Sequence, residues 1–331
     1  MATGDTQRRW HFDFSDICTI LESDAQMQTF YDMADKITME TKGNVVNVRA
    51  IVEFSNYCRR NCEYCGINCK NTRAQRYRMT PDEIVDCSLE AADAGYKTVV
   101  LQSGEDEFFT PELLSQIIRE IKSKRDIAVT LSSGEMSEEA YALIKDAGCD
   151  RYLLKHETSD FDLYSKLHPG YSYSDRKECL KTLKKLGFET GGGFMIGLPG
   201  QTTEIIARDI QLIESIPCDM AGIGPFIPHP HTLLAKSPKG SVELTRRAIA
   251  ITRILLPQIN LPATTSLAVL NKEERNKVFS GGANVIMKKV TPPQYRDKYE
   301  IYPMKHGKIK SVKEEREEIN TLLKSIGKDY D

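Results

Sequence analysis

The stretch "VRAIVEFSNYCRRNCEYCG", residues 48–66, joins two kinds of sequence without a break. Its first eight residues form a β-branched, apolar run that reads as a strand over 48–55. The eleven that follow are polar and cysteine-rich and cannot continue that strand. A strand that hands ionisable side chains to the next loop is the unit from which parallel α/β folds build their sites. The unit recurs down the chain. Strand-like runs follow at 97–104, 126–133, 151–157, 188–197, 219–224, 261–266 and 283–287, which makes eight in all. Amphipathic helical segments separate them.

Helix boundaries support the alternation. "TPDE" at 80–83 has a Thr cap, Pro at the first helical position and Glu at the third, a capping box, and "NKEE" at 271–274 repeats the box with Asn. Thr110 and Ser137 are simpler caps, and Gly95, Gly148 and Gly187 sit where helices should stop. Eight strands with crossover helices close a (β/α)8 TIM-type barrel, an α/β fold. An open doubly wound sheet is the rival, but the Gly-rich run "GGGF" at 191–194 does not match a dinucleotide fingerprint. Residues 14–42 read as helical and stop on Gly43. The reading therefore divides the chain into an N-terminal helical extension (1–44), the barrel (45–300) and a charged C-terminal tail (301–331). That tail carries a helix with an apolar stripe through Ile319, Leu322, Leu323 and Ile326.

A formal charge of −2 argues against a nucleic-acid partner. No apolar run approaches the roughly 18 residues of a membrane span, and residues 1–16 lack the apolar core of a secretory signal. Nine cysteines, four of them crowded into residues 58–69, fit a reducing cytoplasm and a metal site better than a disulfide framework. Cys18, Cys87, Cys149, Cys179 and Cys218 are scattered singly and read as buried small residues.

Polar residues interrupt the strands at one end. The second ends in Gln102-Ser103-Gly104-Glu105-Asp106, the third in Ser132-Ser133-Gly134-Glu135 and the fourth in Lys155-His156-Glu157-Thr158. His229 and His231 follow the sixth, and Thr264, Thr265 and Ser266 end the seventh. Any one of these is ordinarily a satisfied core polar group or a cap. Together they describe a polar mouth around a barrel cavity.

Four thiols in one short loop suit a structural zinc site poorly, because such sites pair two cysteine knuckles across a longer insert. A [4Fe–4S] cube can be held at three corners by a short loop, which leaves its fourth iron open. Tyr64, inside C-x3-C-x-aromatic-C, adds a flat ring beside it.

"CRRNCEYC" at 58–65 resembles the signature of the radical S-adenosylmethionine (radical SAM) enzymes. "RYRMTPDEIV", "TVVLQSGED", "DRYLLKHET", "ETGGGFMIGLPGQT", "GIGPFIPHP", "TRILLPQINLPATT" and "GANVIM" extend the likeness in order over residues 45–300. They are similar to the maturases of the [FeFe]-hydrogenase active-site cluster, with biotin synthases and methylornithine synthases more distant. The resemblance implies that Cys58, Cys62 and Cys65 ligate a [4Fe–4S] cluster whose fourth iron binds S-adenosylmethionine. It implies that Tyr64, Ser103, Gly104, Glu105, Ser132, Glu157 and Arg176 hold that cofactor, and that Arg151, His156, Thr264, Thr265, Tyr295 and Tyr299 lie near the substrate. It further implies a small organometallic substrate, a cysteine-bound iron carrying carbonyl and cyanide. The implied partners are a reductant such as ferredoxin or flavodoxin, and the other hydrogenase maturases.

The chain departs from that pattern in places. No cysteine follows Cys218, so a second C-terminal cluster is not expected. Lys155 replaces an arginine, Cys69 replaces a basic residue, and "HPHT" (229–232) and "MKKV" (287–290) are unlike the family. A related enzyme acting on an amino acid, as in methylornithine formation, and a non-catalytic iron–sulfur or zinc protein are the alternative readings.

Overall fold

The computed structural model describes residues 12–304 and 310–331. The reading of residues 1–16 as lacking a secretory core falls mostly outside them. Eight parallel strands form the wall: β1 (Val45–Ser55), β2 (Thr98–Ser103), β3 (Ala128–Ser132), β4 (Arg151–Leu153), β5 (Glu189–Ile196), β6 (Met220–Pro225), β7 (Pro262–Ala263) and β8 (Val285–Lys289). Consecutive strands pair from β1 to β6, and β1 then pairs with β8 and β8 with β7. Between β6 and β7 the ring closes through a bridge from Met220 to Asn260, where Asn260 O accepts from Ala221 N at 3.0 Å. The fold is a nearly closed (β/α)8 barrel, as the alternation predicts.

Within β1 the two-residue period divides the side chains. Val48, Ala50, Val52 and Phe54 are buried in the main hydrophobic core, whereas Ile51 and Glu53 line the barrel's interior cavity. The caps form as read at Thr80, Thr110 and Ser137. Asn271 differs: its side chain accepts from Glu273 N and Glu274 N, but its own N–H donates to Leu267 O, so the reciprocal half of the box is missing.

The helical N-terminus is two helices, Phe14–Glu22 and Met27–Lys42, packed on the helices Thr203–Ser215 and Val242–Leu255. The tail forms a helix over Val312–Ser325 with Ile319 and Leu323 buried. After that helix comes a strand the sequence reading missed, β9 (Asp329–Tyr330), which pairs in parallel with Val45 and Val46 at the start of β1. Two residues offer too little alternation to read as a strand. Among the described residues no helix is long and apolar enough to cross a membrane.

Candidate active site

The cysteine loop leaves β1 at Ser55 and is held by side chains it carries itself. Asn56 Nδ2 donates to Gln75 O at 2.8 Å and Lys298 O at 2.7 Å, while its Oδ1 accepts from Tyr77 N at 2.8 Å. The guanidinium fork of Arg76 donates to Asn56 O, Ile67 O, Asn68 O and Asn71 O over 2.5–3.3 Å. A planar five-donor group can collect that many carbonyls where a lysine could not.

This loop turns Cys58, Cys62 and Cys65 toward the barrel, where all three line a cavity of about 360 Å³. Cys69 is exposed and lies outside the cavity lining. Burial, and the neighbouring thiols as they charge, push Cys62 up to about 12 and Cys65 well above its ordinary value. As thiolates these groups call for a strongly cationic partner. Among the described residues no three His, Cys, Asp or Glu side chains converge on one ion-sized point. Three thiols on one cavity wall, with the fourth outside it, fit a cluster held at three corners.

Behind the thiols runs a chain of buried charges. Arg60 Nε meets Glu105 Oε2 at 2.5 Å and its Nη2 meets Glu135 Oε2 at 2.6 Å, while the guanidinium lies 3.7 Å from the Tyr171 ring centroid. Arg176 Nε meets Glu135 Oε1 at 2.5 Å, and its Nη1 donates to Lys155 O at 2.8 Å. Burial opposes the Glu135 carboxylate, but Arg176 and Arg60 hold it below the usual range. Two glycines make room. A Cβ on Gly104 would stand 2.2 Å from Tyr57 O, and one on Gly134 would stand 2.0 Å from Glu105 Cγ at a φ of +87°. The sequence reading gave Glu105 and Arg176 a role at the cofactor, placed Glu135 only in the polar mouth, and assigned Arg60 nothing. Charges between cysteines and after a turn look solvated until the fold buries them.

Glu157 adopts a φ of +66° and points its carboxylate at Lys155 Nζ, 3.0 Å away. Burial works against that carboxylate, but Lys155, with His168 and Arg176, keeps it below its ordinary value. Tyr64 is fixed by a residue the sequence reading missed. His168 Nδ1 lies 3.0 Å from Tyr164 O, which can only accept, so Nδ1 carries the proton and Nε2 accepts from Tyr64 O–H at 2.9 Å.

Among the residues expected near substrate, Thr264, Thr265 and Tyr299 line the same cavity as the thiols, as do Ser103, Glu105, Ser132, Glu157 and Arg176. Arg151, His156 and Tyr295 are not part of its lining. Arg151 opens β4 at the N-terminal end of the barrel, where its Nε pairs with Glu189 at 2.5 Å and its Nη1 with Thr98 at 3.2 Å. His156 is buried outside the wall, with Nε2 3.5 Å from Asp209 Oδ1, because alternation turns it away from Lys155 and Glu157. Tyr295 stacks on Tyr77 at 4.8 Å and donates to Glu83 at 2.9 Å. The cavity instead includes Glu53 and Lys289, whose Oε1 and Nζ are 2.8 Å apart. Inward alternation along β1 and β8 was the signal available for both.

Residues 52–213 match the radical SAM superfamily. The chain is 48% identical over 299 residues to the [FeFe] hydrogenase maturase subunit HydE of Thermotoga maritima, covering 90% of this chain and 85% of that one. It is 27% identical to the 3-methylornithine synthase of Methanosarcina acetivorans, covering 80% and 75%. The crystal structure of methylornithine synthase (PylB) superposes with a TM-score of 0.83 at 23% identity, covering 97% and 95%.

Proposed function

The chain belongs to the radical SAM superfamily and, within it, to the family of the [FeFe] hydrogenase maturase subunit HydE, and on that premise we propose how its cavity works. It is a radical SAM enzyme, and its family implies a [4Fe–4S] cluster and S-adenosylmethionine. When bound, those cofactors supply reductive cleavage of the sulfonium and a 5′-deoxyadenosyl radical.

The catalytic unit is residues 45–300. Cys58, Cys62 and Cys65 hold the cluster as thiolates, and the observation that carries this is their three-to-one separation from exposed Cys69. Arg176, buried and permanently charged, binds the carboxylate of S-adenosylmethionine, and Glu135 and Arg60 fix its direction. Ser103, Glu105, Ser132 and Glu157 orient the remaining polar groups of the cofactor, and Gly104 lets the strand end approach Cys58. Tyr64, held by His168, packs on the adenine. Thr264, Thr265 and Tyr299 face the substrate, and the barrel wall keeps water from a radical and a labile complex.

The substrate is a cysteine-bound iron carrying carbonyl and cyanide ligands, used in assembling the hydrogenase cluster. A cavity of about 360 Å³ supports a small ligand. A cytoplasmic ferredoxin or flavodoxin supplies the electron, and the other maturases exchange its substrate and product. Anaerobic protein with reductant, S-adenosylmethionine and the iron–cysteine complex should yield an adenosylated iron species. With lysine offered instead, no rearranged amino acid should form. The reverse pattern would move the chain to the amino-acid branch.

A further inference from the structure

The pair formed by Glu53 and Lys289 has no part in the roles proposed for the other cavity residues. Glu53 is nearly sealed, its side chain 3% exposed, while Lys289 is 18% exposed, and both line the cavity. Thr291 Oγ1 donates to Glu53 Oε2 at 3.4 Å, so the carboxylate has two donors and a fixed direction. Lys289 Nζ lies 5.9 Å from the ring centroid of Tyr299, whose hydroxyl accepts from Gln102 at 3.2 Å.

The pair is not needed to align its strands. The β1–β8 register runs from Asn47 opposite Val285 to Ile51 opposite Lys289 on backbone bonds, and Glu53 lies beyond it. Apolar side chains of the same volume would hold such a wall as well or better, because a buried ion pair rarely repays its desolvation. Opposite charges kept side by side at a cavity surface instead match a ligand with the same pair of charges one carbon apart. The cavity's other pair, Lys155 with Glu157, stands at the thiol end, since Glu157 bears on Cys62, Cys65 and Tyr64. Glu53 bears on Tyr77, Tyr299 and Tyr302.

We propose that Glu53 and Lys289 form the subsite for the α-amino-acid head of the substrate, Glu53 taking its ammonium and Lys289 its carboxylate. The assignment rests on the reading of the cavity as a substrate site and deepens it. The zwitterion enters between the two groups and replaces one ion pair with two charge-assisted contacts. The rest of the ligand then extends toward the thiols.

The test is calorimetric titration of the anaerobic holoprotein with three thioethers that have no free thiol to reach iron: S-methyl-L-cysteine, 2-(methylthio)ethylamine and 3-(methylthio)propionate. The wild type should bind the amino acid at least about tenfold more tightly than either fragment. Lys289→Met should abolish the preference over the amine, and Glu53→Gln the preference over the acid, while Lys289→Arg retains both. The double variant Glu53→Gln/Lys289→Met leaves no orphaned charge and should fold even where a single variant does not; it should lose both preferences. Undetectable binding of S-methyl-L-cysteine, or variants that change melting temperature but leave the preferences intact, would overturn the subsite and mark the pair as structural. Formation of 5′-deoxyadenosine by the same samples is read separately. Its absence from the wild type counts against the enzyme reading, whereas its presence without the binding preferences counts against the subsite alone.

Discussion

Arg176 and Glu135 meet through Nε and Oε1 at 2.5 Å, and Glu135 uses its other oxygen to hold Arg60 at 2.6 Å. One half-buried carboxylate thus aims two buried guanidinium groups, one from the helix Tyr173–Lys185 and one from the cysteine loop. Glu135→Ala would leave two buried cations short of a partner, so chemical denaturation should show a loss of about 3–5 kcal/mol. Glu135→Gln keeps the shape and should lose less. Arg176→Lys keeps the charge but not the fork, and should weaken S-adenosylmethionine binding about tenfold.

Arg76 ties four backbone carbonyls of the cysteine loop together. Arg76→Ala should lower stability by about 2–4 kcal/mol and speed iron loss on dilution into chelator. Arg76→Lys should recover less than half of either effect, because one ammonium cannot reach all four. Equal iron retention in Arg76→Ala and wild type would mean the loop stands without it.

His168 gives the chain a pH-dependent weakness. Burial above all, with Arg176 nearby, depresses the imidazole to about 4 from its usual 6.5, although Glu157 pulls the other way. Between those values the unfolded chain binds a proton that the folded chain refuses, so stability falls as pH drops from 6.5 toward 4. The size is about 3 kcal/mol across that window. His168→Gln can still bond both Tyr164 O and Tyr64 O–H but does not titrate. Its melting temperature should fall less steeply over that range than the wild type's. Parallel slopes would show that His168 is not the group responsible.

The strands and the thiol loop were legible because their signals are local. Apolar runs marked β1 to β8 to within a few residues, and the spacing, the aromatic Tyr64 and the resemblance of the motif to a known signature together singled out Cys58, Cys62 and Cys65. What sequence missed is long-range. Glu135 meets Arg176 across 41 residues of chain and Arg60 across 75, and His168 reaches Tyr64 from 104 residues away. Nothing in the immediate sequence of His168 or Glu135 announces such a partner. Arg151, His156 and Tyr295 fell outside the cavity for a simpler reason. A residue's place in a motif says which strand carries it, while one step of alternation or height along the barrel decides what it faces.

The most direct test of the account is iron content and S-adenosylmethionine cleavage in Cys-to-Ser variants reconstituted anaerobically and reduced with dithionite. Wild type and Cys69→Ser should each retain about four irons and release 5′-deoxyadenosine with methionine, whereas Cys62→Ser should do neither. Loss of the cluster in Cys69→Ser, or a fully loaded wild type that releases no 5′-deoxyadenosine, would contradict it.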